Sequence, residues 1–137
     1  MIHDTRHVLA LDIGEKRIGI AKGDTSVKIA IPLKTLVVDG TEATHIASLV
    51  ANEAISTVVV GYPRNQSGEA TAQTAYVEHV VDRLASELAV PIVFCDESLT
   101  SVIAEDRLQR VKKPYTKADI DAMAACIILE QYLEGTA

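Results

Sequence analysis

The stretch Val8-Leu9-Ala10-Leu11-Asp12-Ile13-Gly14-Glu15-Lys16-Arg17-Ile18-Gly19-Ile20 decides how the rest of the chain is read. Its first four residues form a continuous apolar run, the pattern of a short strand buried on both sides. Asp12 interrupts that run. A carboxylate there costs several kcal/mol in desolvation unless a cation or hydrogen-bond donors meet it. Gly14 lets the backbone turn or bulge beside it. An acid so placed is expected to face a site.

Working outward, residues 7–13, 17–23 and 27–37 read as three strands of an antiparallel meander. A turn near Asp24-Thr25-Ser26 joins the last two, and Pro32 suggests an edge or a bulge in the third. A helix over about 41–54, capped by Thr41, presents Ile46, Leu49 and Val50 on one face. Thr57-Val58-Val59-Val60-Gly61 reads as a buried strand, and a loop from Tyr62 to Gly68 follows. Between 69 and 89, Val77, Val80, Val81, Leu84 and Leu88 recur at core-face helical spacing. A fifth strand covers 91–95, and two helices, over 99–110 and 117–134, flank a basic turn with Pro114. The order β-β-β-α-β-α-β-α-α predicts an α/β fold, a mixed five-stranded sheet with helices on both faces. That is the ribonuclease H-like plan.

Composition bounds the function. The chain has 137 residues, 48% of them hydrophobic, enough for one domain over 1–137 with a real core. No apolar run approaches the roughly 20 residues of a membrane span. The polar lead-in, Met1 to His7, does not read as a signal peptide, so a cytoplasmic location is expected. Cys95 and Cys126 lack metal-cluster spacing and read as small buried hydrophobes. His3, His7, His45 and His79 fit no catalytic constellation and read as surface residues.

The net charge of −6 argues mildly against a general polyanion binder, but its distribution is uneven. Arg107, Arg110, Lys112, Lys113 and Lys117 place five of the thirteen basic residues in eleven positions. Lys16, Arg17, Lys22, Lys28 and Lys34 alternate through the N-terminal strands. Local basic patches can steer a phosphate backbone onto an acidic protein. Taken alone, the 107–117 stretch fits a solvated charged loop equally well.

Two further acidic sites accompany Asp12. Asp96-Glu97 falls just past the predicted fifth strand, where open α/β sheets place ligands. On the last helix, Thr116 and Asp119 fit a capping box, which accounts for Asp119 structurally. Asp121 is left over. It begins a segment apolar all round, from Ala122 to Leu129, the pattern of a buried helix. The helix dipole contributes about 0.3–1 kcal/mol toward that charge, less than burial costs. A cation is the better explanation. An all-carboxylate set without His or Cys favours Mg²⁺ or Mn²⁺ over zinc. Carboxylates from distant segments at one sheet end suit metal-assisted phosphodiester hydrolysis.

The chain closely resembles the YqgF/RuvX family, Holliday junction resolvase-like proteins linked to pre-16S rRNA cleavage. The resemblance runs over nearly the whole chain and rests on four motifs in order: Leu11 to Gly19, Val60 to Gly68, Asp96 to Thr100, and Ile120 to Ala125. It implies a ribonuclease H-like, metal-dependent endonuclease whose catalytic, metal-holding acids are Asp12, Glu97 and Asp121. It thereby favours Glu97 over Asp96. It also implies a role in maturing the 5′ end of 16S rRNA during ribosome biogenesis. Tyr62 and Arg64 stand where the family commonly has leucines, and Ser98 where it commonly has arginine. The expected nucleic-acid contacts are Lys16, Arg17, Arg64, Asn65, Arg110, Lys112 and Lys113.

Two other readings stay open. A junction resolvase would act as a homodimer on four-way DNA, matching the symmetry of its substrate; the oligomer could be a monomer or a dimer. Alternatively, the chain is a nucleic-acid-binding module without catalysis. The Asp-x-Gly turn also resembles the phosphate-binding start of actin-like folds, but those duplicate the domain and this chain has one copy.

Overall fold

The computed structural model describes residues 5–63, 71–97 and 100–135, excluding the side chains of Glu97 and Ser101. Strand β1 (His7–Ile13) turns tightly into β2 (Arg17–Asp24). Gly14 permits that turn by close approach. Its N–H donates to the Arg17 carbonyl at 2.9 Å, and a Cβ would lie 2.8 Å from the same oxygen. Strand β3 (Ala30–Val37) starts later than the sequence pattern suggests. The Asp24 carboxylate accepts the Val27 N–H at 2.7 Å and Lys28 adopts a φ of 60°, which prolongs the turn.

Helix α1 (Glu42–Asn52), β4 (Ile55–Pro63), α2 (Ala72–Ala85), β5 (Ile92–Glu97), α3 (Thr100–Val111) and α4 (Lys117–Glu134) follow. The sheet order is β3-β2-β1-β4-β5, with β1, β2 and β3 antiparallel in sequence and β1, β4 and β5 parallel. Both readings of Pro32 apply. It lies on the outermost strand, and the register slips beside it, Ile20 facing Lys34 while Ala21 faces Pro32. Proline, having no N–H, is tolerated at such positions.

Three expectations need correction. Strand β4 runs from Ile55 to Pro63, so Tyr62 and Pro63 extend the strand, held by pairing with β5, instead of opening the loop. Thr41 occupies the position before α1 but makes no side-chain cap. Its hydroxyl donates to Asp39 at 2.6 Å, and the Glu42 carboxylate accepts the N–H groups of Asp39 and Gly40 instead. The Thr41 hydroxyl holds the Asp39 carboxyl below its ordinary pKa. Strand β5 also runs further than its apolar stretch. Asp96 and Glu97 are its last two residues, paired with Tyr62 and Pro63 of β4. Ladder pairing overrides the weak strand preference of acidic residues.

The sheet separates two cores. Leu9, Leu11, Ile13, Ile18 and Ile20 pack beneath α1 and α2, against Ile46, Val77, Val81 and Leu84. Val8, Ala10, Ala21 and Val59 face α4, meeting Ala125, Ile128, Leu129 and Leu133. The opposite side of α4, through Ala124 and Ile127, packs on Ala104 of α3. Helix α4 is therefore buried on both sides, as its all-apolar sequence requires. Among the described residues, no helix is long and apolar enough to cross a membrane.

Candidate functional site

Strand alternation decides which face Asp12 serves. Side chains along a strand alternate between faces, so Asp12 shares the α4 side with Val8 and Ala10. It pairs in register with Gly19 of β2. Residues directly opposed across two strands share a face. Gly19 has no side chain, and α4 takes the space: a Cβ there would sit 1.9 Å from the Asp121 carbonyl oxygen. The first turns of α4 thus lie against the strand pair at the residue opposite Asp12. Asp12 and Asp121, almost at opposite ends of the chain, come to one place.

Three contacts fix the start of α4. Asp119 and Thr116 form a reciprocal capping box, the Thr116 N–H donating to the Asp119 carboxylate at 2.8 Å. The Thr35 hydroxyl donates to the Ala118 carbonyl at 2.6 Å, tying the helix to β3. The Arg17 Nε donates to Asp121 Oδ2 at 2.6 Å. In that pair the arginine side chain is 34% exposed and the carboxylate 24%, so neither is fully solvated.

An open groove of about 410 Å³ lies beside this pair, lined by Gly14, Glu15, Lys16, Arg17, Gln73 and Asp121. Asp12 is half-buried and is not part of that lining. Gln73 and Glu15 were not singled out from the sequence. Gln73 donates from Nε2 to the Ile13 carbonyl at 3.3 Å, placing the start of α2 at the end of β1. Its local signal was the Thr71 capping box, which marks where that helix begins.

The backbone of Glu97 ends β5, at the same carboxyl edge of the parallel strands as Asp12. Its side chain, together with Arg64 and Asn65, lies outside the described residues. Among the described residues, no group of three or more acidic, His or Cys side chains is placed to hold a metal ion. Asp12 and Asp121, whose segments meet through Gly19, are both half-buried and offer oxygen ligands only. That chemistry fits a hard divalent cation such as Mg²⁺ or Mn²⁺.

A family model described as "RuvX: Holliday junction resolvase" matches residues 6–135. The chain belongs to this family. A Chloroflexus aggregans protein named "Putative pre-16S rRNA nuclease" is 44% identical over 132 residues, covering 93% of both chains. A Roseiflexus protein of the same name is 36% identical over 98% of this chain and 99% of its own. Among solved structures, Thermus thermophilus RuvC in complex with a Holliday junction substrate superposes with a TM-score of 0.57. It is 16% identical, over 96% of this chain and 98% of that one. Fowlpox virus resolvase gives a TM-score of 0.54 at 13% identity, over 93% and 97%. At such identities the likeness is one of fold, and that fold is ribonuclease H-like.

The RuvX-family chain distributes its remaining basic residues unevenly. Lys16 is exposed on the groove. Arg107 donates to both carboxylate oxygens of Glu130, at 3.0 and 3.1 Å, and so bridges α3 to α4. Arg110 forms an ion pair with Asp106 one turn earlier, at 3.1 Å, and is mostly exposed. Lys112 and Lys113 are exposed just after α3, and neither they nor Arg110 line the groove. Tyr62 meets Phe94 edge-on, ring centroids 4.8 Å apart, and its hydroxyl bonds Glu78. Cys95 and Cys126 are free thiols; Cys126 is buried as expected, whereas Cys95, at the sheet edge on β5, is only partly buried. Burial pushes the Cys126 pKa up to about 11. His7, His45 and His79 are exposed.

Proposed function

We propose that this chain is a divalent-metal-dependent endonuclease that cuts structured RNA, with the 5′ precursor segment of 16S rRNA as substrate. One observation carries the reading. Gly19 sits opposite Asp12 and lets the Asp121 backbone come against it, so two costly carboxylates from distant segments share one face. Membership of a family whose relatives carry the name "Putative pre-16S rRNA nuclease" supports the substrate.

Asp12, Glu97 and Asp121 would hold Mg²⁺ or Mn²⁺. The bound ion would supply Lewis acidity for attack of water on phosphorus and for departure of the leaving oxygen. The chain's own residues do the rest. The capping box and the Thr35 contact set the position of Asp121. Lys16 and Arg17, beside the groove, together with Arg64 and Asn65 of the Val60 to Gly68 motif, take phosphate oxygens of the substrate. Arg110, Lys112 and Lys113 draw the flanking strand by charge. The proposed protein works in the cytoplasm as a single domain over 1–137, as monomer or homodimer.

The test compares wild type with Asp12→Asn on a 5′-extended 16S precursor RNA and on a four-way DNA junction, with Mn²⁺ and with chelator. Precise cutting of the RNA by wild type with Mn²⁺ alone is the expected result. Cutting that survives chelation or Asp12→Asn overturns the metal mechanism. The family description itself favours a second substrate, the Holliday junction. Symmetric cutting of the junction, with the RNA left intact, would establish that reading instead. Binding of both substrates without cutting would leave a binding module.

A further inference from the structure

We propose that Arg17 is the resident counter-cation of the acidic site: it neutralises Asp121 while no metal is bound and is displaced into the groove when a divalent ion binds. This inference rests on the metal-dependent reading above and concerns how the charge of Asp121 is balanced before a metal binds.

Asp121 is only 24% exposed, and its Oδ2 already accepts the Arg17 Nε at 2.6 Å. A divalent ion ligated by that carboxylate would stand within a few ångströms of the guanidinium. Like charges so close, away from full solvent, repel strongly. The ion and the arginine therefore compete for one carboxylate.

The surroundings let the side chain move while the backbone stays fixed. The Arg17 carbonyl accepts the Gly14 N–H at 2.9 Å, and the Lys16 carbonyl accepts the Val38 N–H at 2.9 Å. Both hold the turn from either side. The Arg17 side chain lines the open groove together with Lys16. Released from Asp121, it stays in that groove, where a planar guanidinium fork suits a phosphate. Metal binding and the grip on a phosphate are thereby linked through one residue. In the metal-free protein the same arginine removes the penalty of a partly buried, unpaired Asp121.

Two measurements test this. In the wild-type protein, the Arg17 Nε–H resonance, assigned by its absence from Arg17→Lys, should be shifted and protected in chelator. At saturating Mg²⁺ it should move to the range of unbonded arginine. In parallel, calorimetric titration with Mn²⁺ should give Arg17→Gln an affinity about two- to fivefold tighter than wild type, the size of effect a part-exposed ion pair supports. A resonance that stays bonded at saturating Mg²⁺ overturns the proposal, as does equal or weaker Mn²⁺ affinity in folded Arg17→Gln. If Arg17→Gln fails to fold, the wild-type resonance decides. No Mn²⁺ binding by wild type at all overturns the metal-dependent reading itself, whereas binding with an unmoved resonance overturns only the role of Arg17.

Discussion

Replacing Gly19 with alanine tests the link between the two acids directly. The added Cβ would lie 1.9 Å from the Asp121 carbonyl oxygen, 2.3 Å from its carbonyl carbon and 2.9 Å from the Ala122 nitrogen. Ordinary contact begins near 3.4 Å, so α4 must retreat by about 1.5 Å at its first turns. The obstacle is backbone, and no rotamer change relieves it. Overpacking a core typically costs about 1–3 kcal/mol, and a rigid obstacle belongs at or beyond the upper end. For a chain of this size, about 3 kcal/mol lowers Tm by roughly 9–15 °C. Retreat of the helix also carries Asp121 away from Asp12. A misplacement of about 1 Å can cost about 100-fold in rate, so cleavage at a temperature where the variant is folded should fall at least that far. Gly40→Ala is the control. Gly40 has a φ of +99° and no atom within 4 Å of where a Cβ would stand, so alanine there should cost about 1 kcal/mol in backbone strain and leave cleavage intact. Scanning calorimetry and a gel cleavage assay suffice. A Gly19→Ala protein with Tm within 2 °C of wild type (about 0.5 kcal/mol) and undiminished cleavage would refute the reasoning.

Other outcomes follow from the same geometry. Asp12→Asn and Glu97→Gln should each lower Mn²⁺-dependent cleavage by about 10²–10³-fold or more while circular dichroism stays unchanged; unchanged cleavage in either counts against that residue as a ligand. Lys16→Ala should weaken RNA binding similarly for all sequences and reduce the slope of log affinity against log salt by about 1, measured by fluorescence anisotropy. The Cys126 thiol, with a pKa raised by burial from 9.0 to about 11, keeps its proton in the folded state after the unfolded thiol has lost its own. Its contribution to stability is complete below about pH 9 and is lost as pH rises toward 11. Cys126→Ala should flatten that alkaline decline in urea melts; an identical decline would assign it to other groups.

Where local signals dominate, the elements follow the sequence pattern closely. Helix α4 covers 117–134 as its long apolar segment and its cap predict, and Thr116 with Asp119 forms the expected capping box, because both signals are properties of neighbouring residues. The buried faces of α1 and α2 follow the same logic. Departures arise where the deciding partner is distant. Thr41 makes no cap because its hydroxyl donates to Asp39, while Glu42 ties back the N–H groups of the residues before the helix. Asp96 and Glu97 join β5 because β4 pairs with them.

The chain by itself determined that Asp12 and Asp121 are costly where they stand, since apolar neighbours on both sides make a lone carboxylate expensive to bury. It also determined the alternation that sends Asp12 to one face of its strand. Only the tertiary structure decided that this face meets α4 through the missing side chain of Gly19, and that Arg17 answers Asp121. Those are contacts between segments far apart in sequence, and their geometry exists only once the sheet has brought β1, β2 and α4 together.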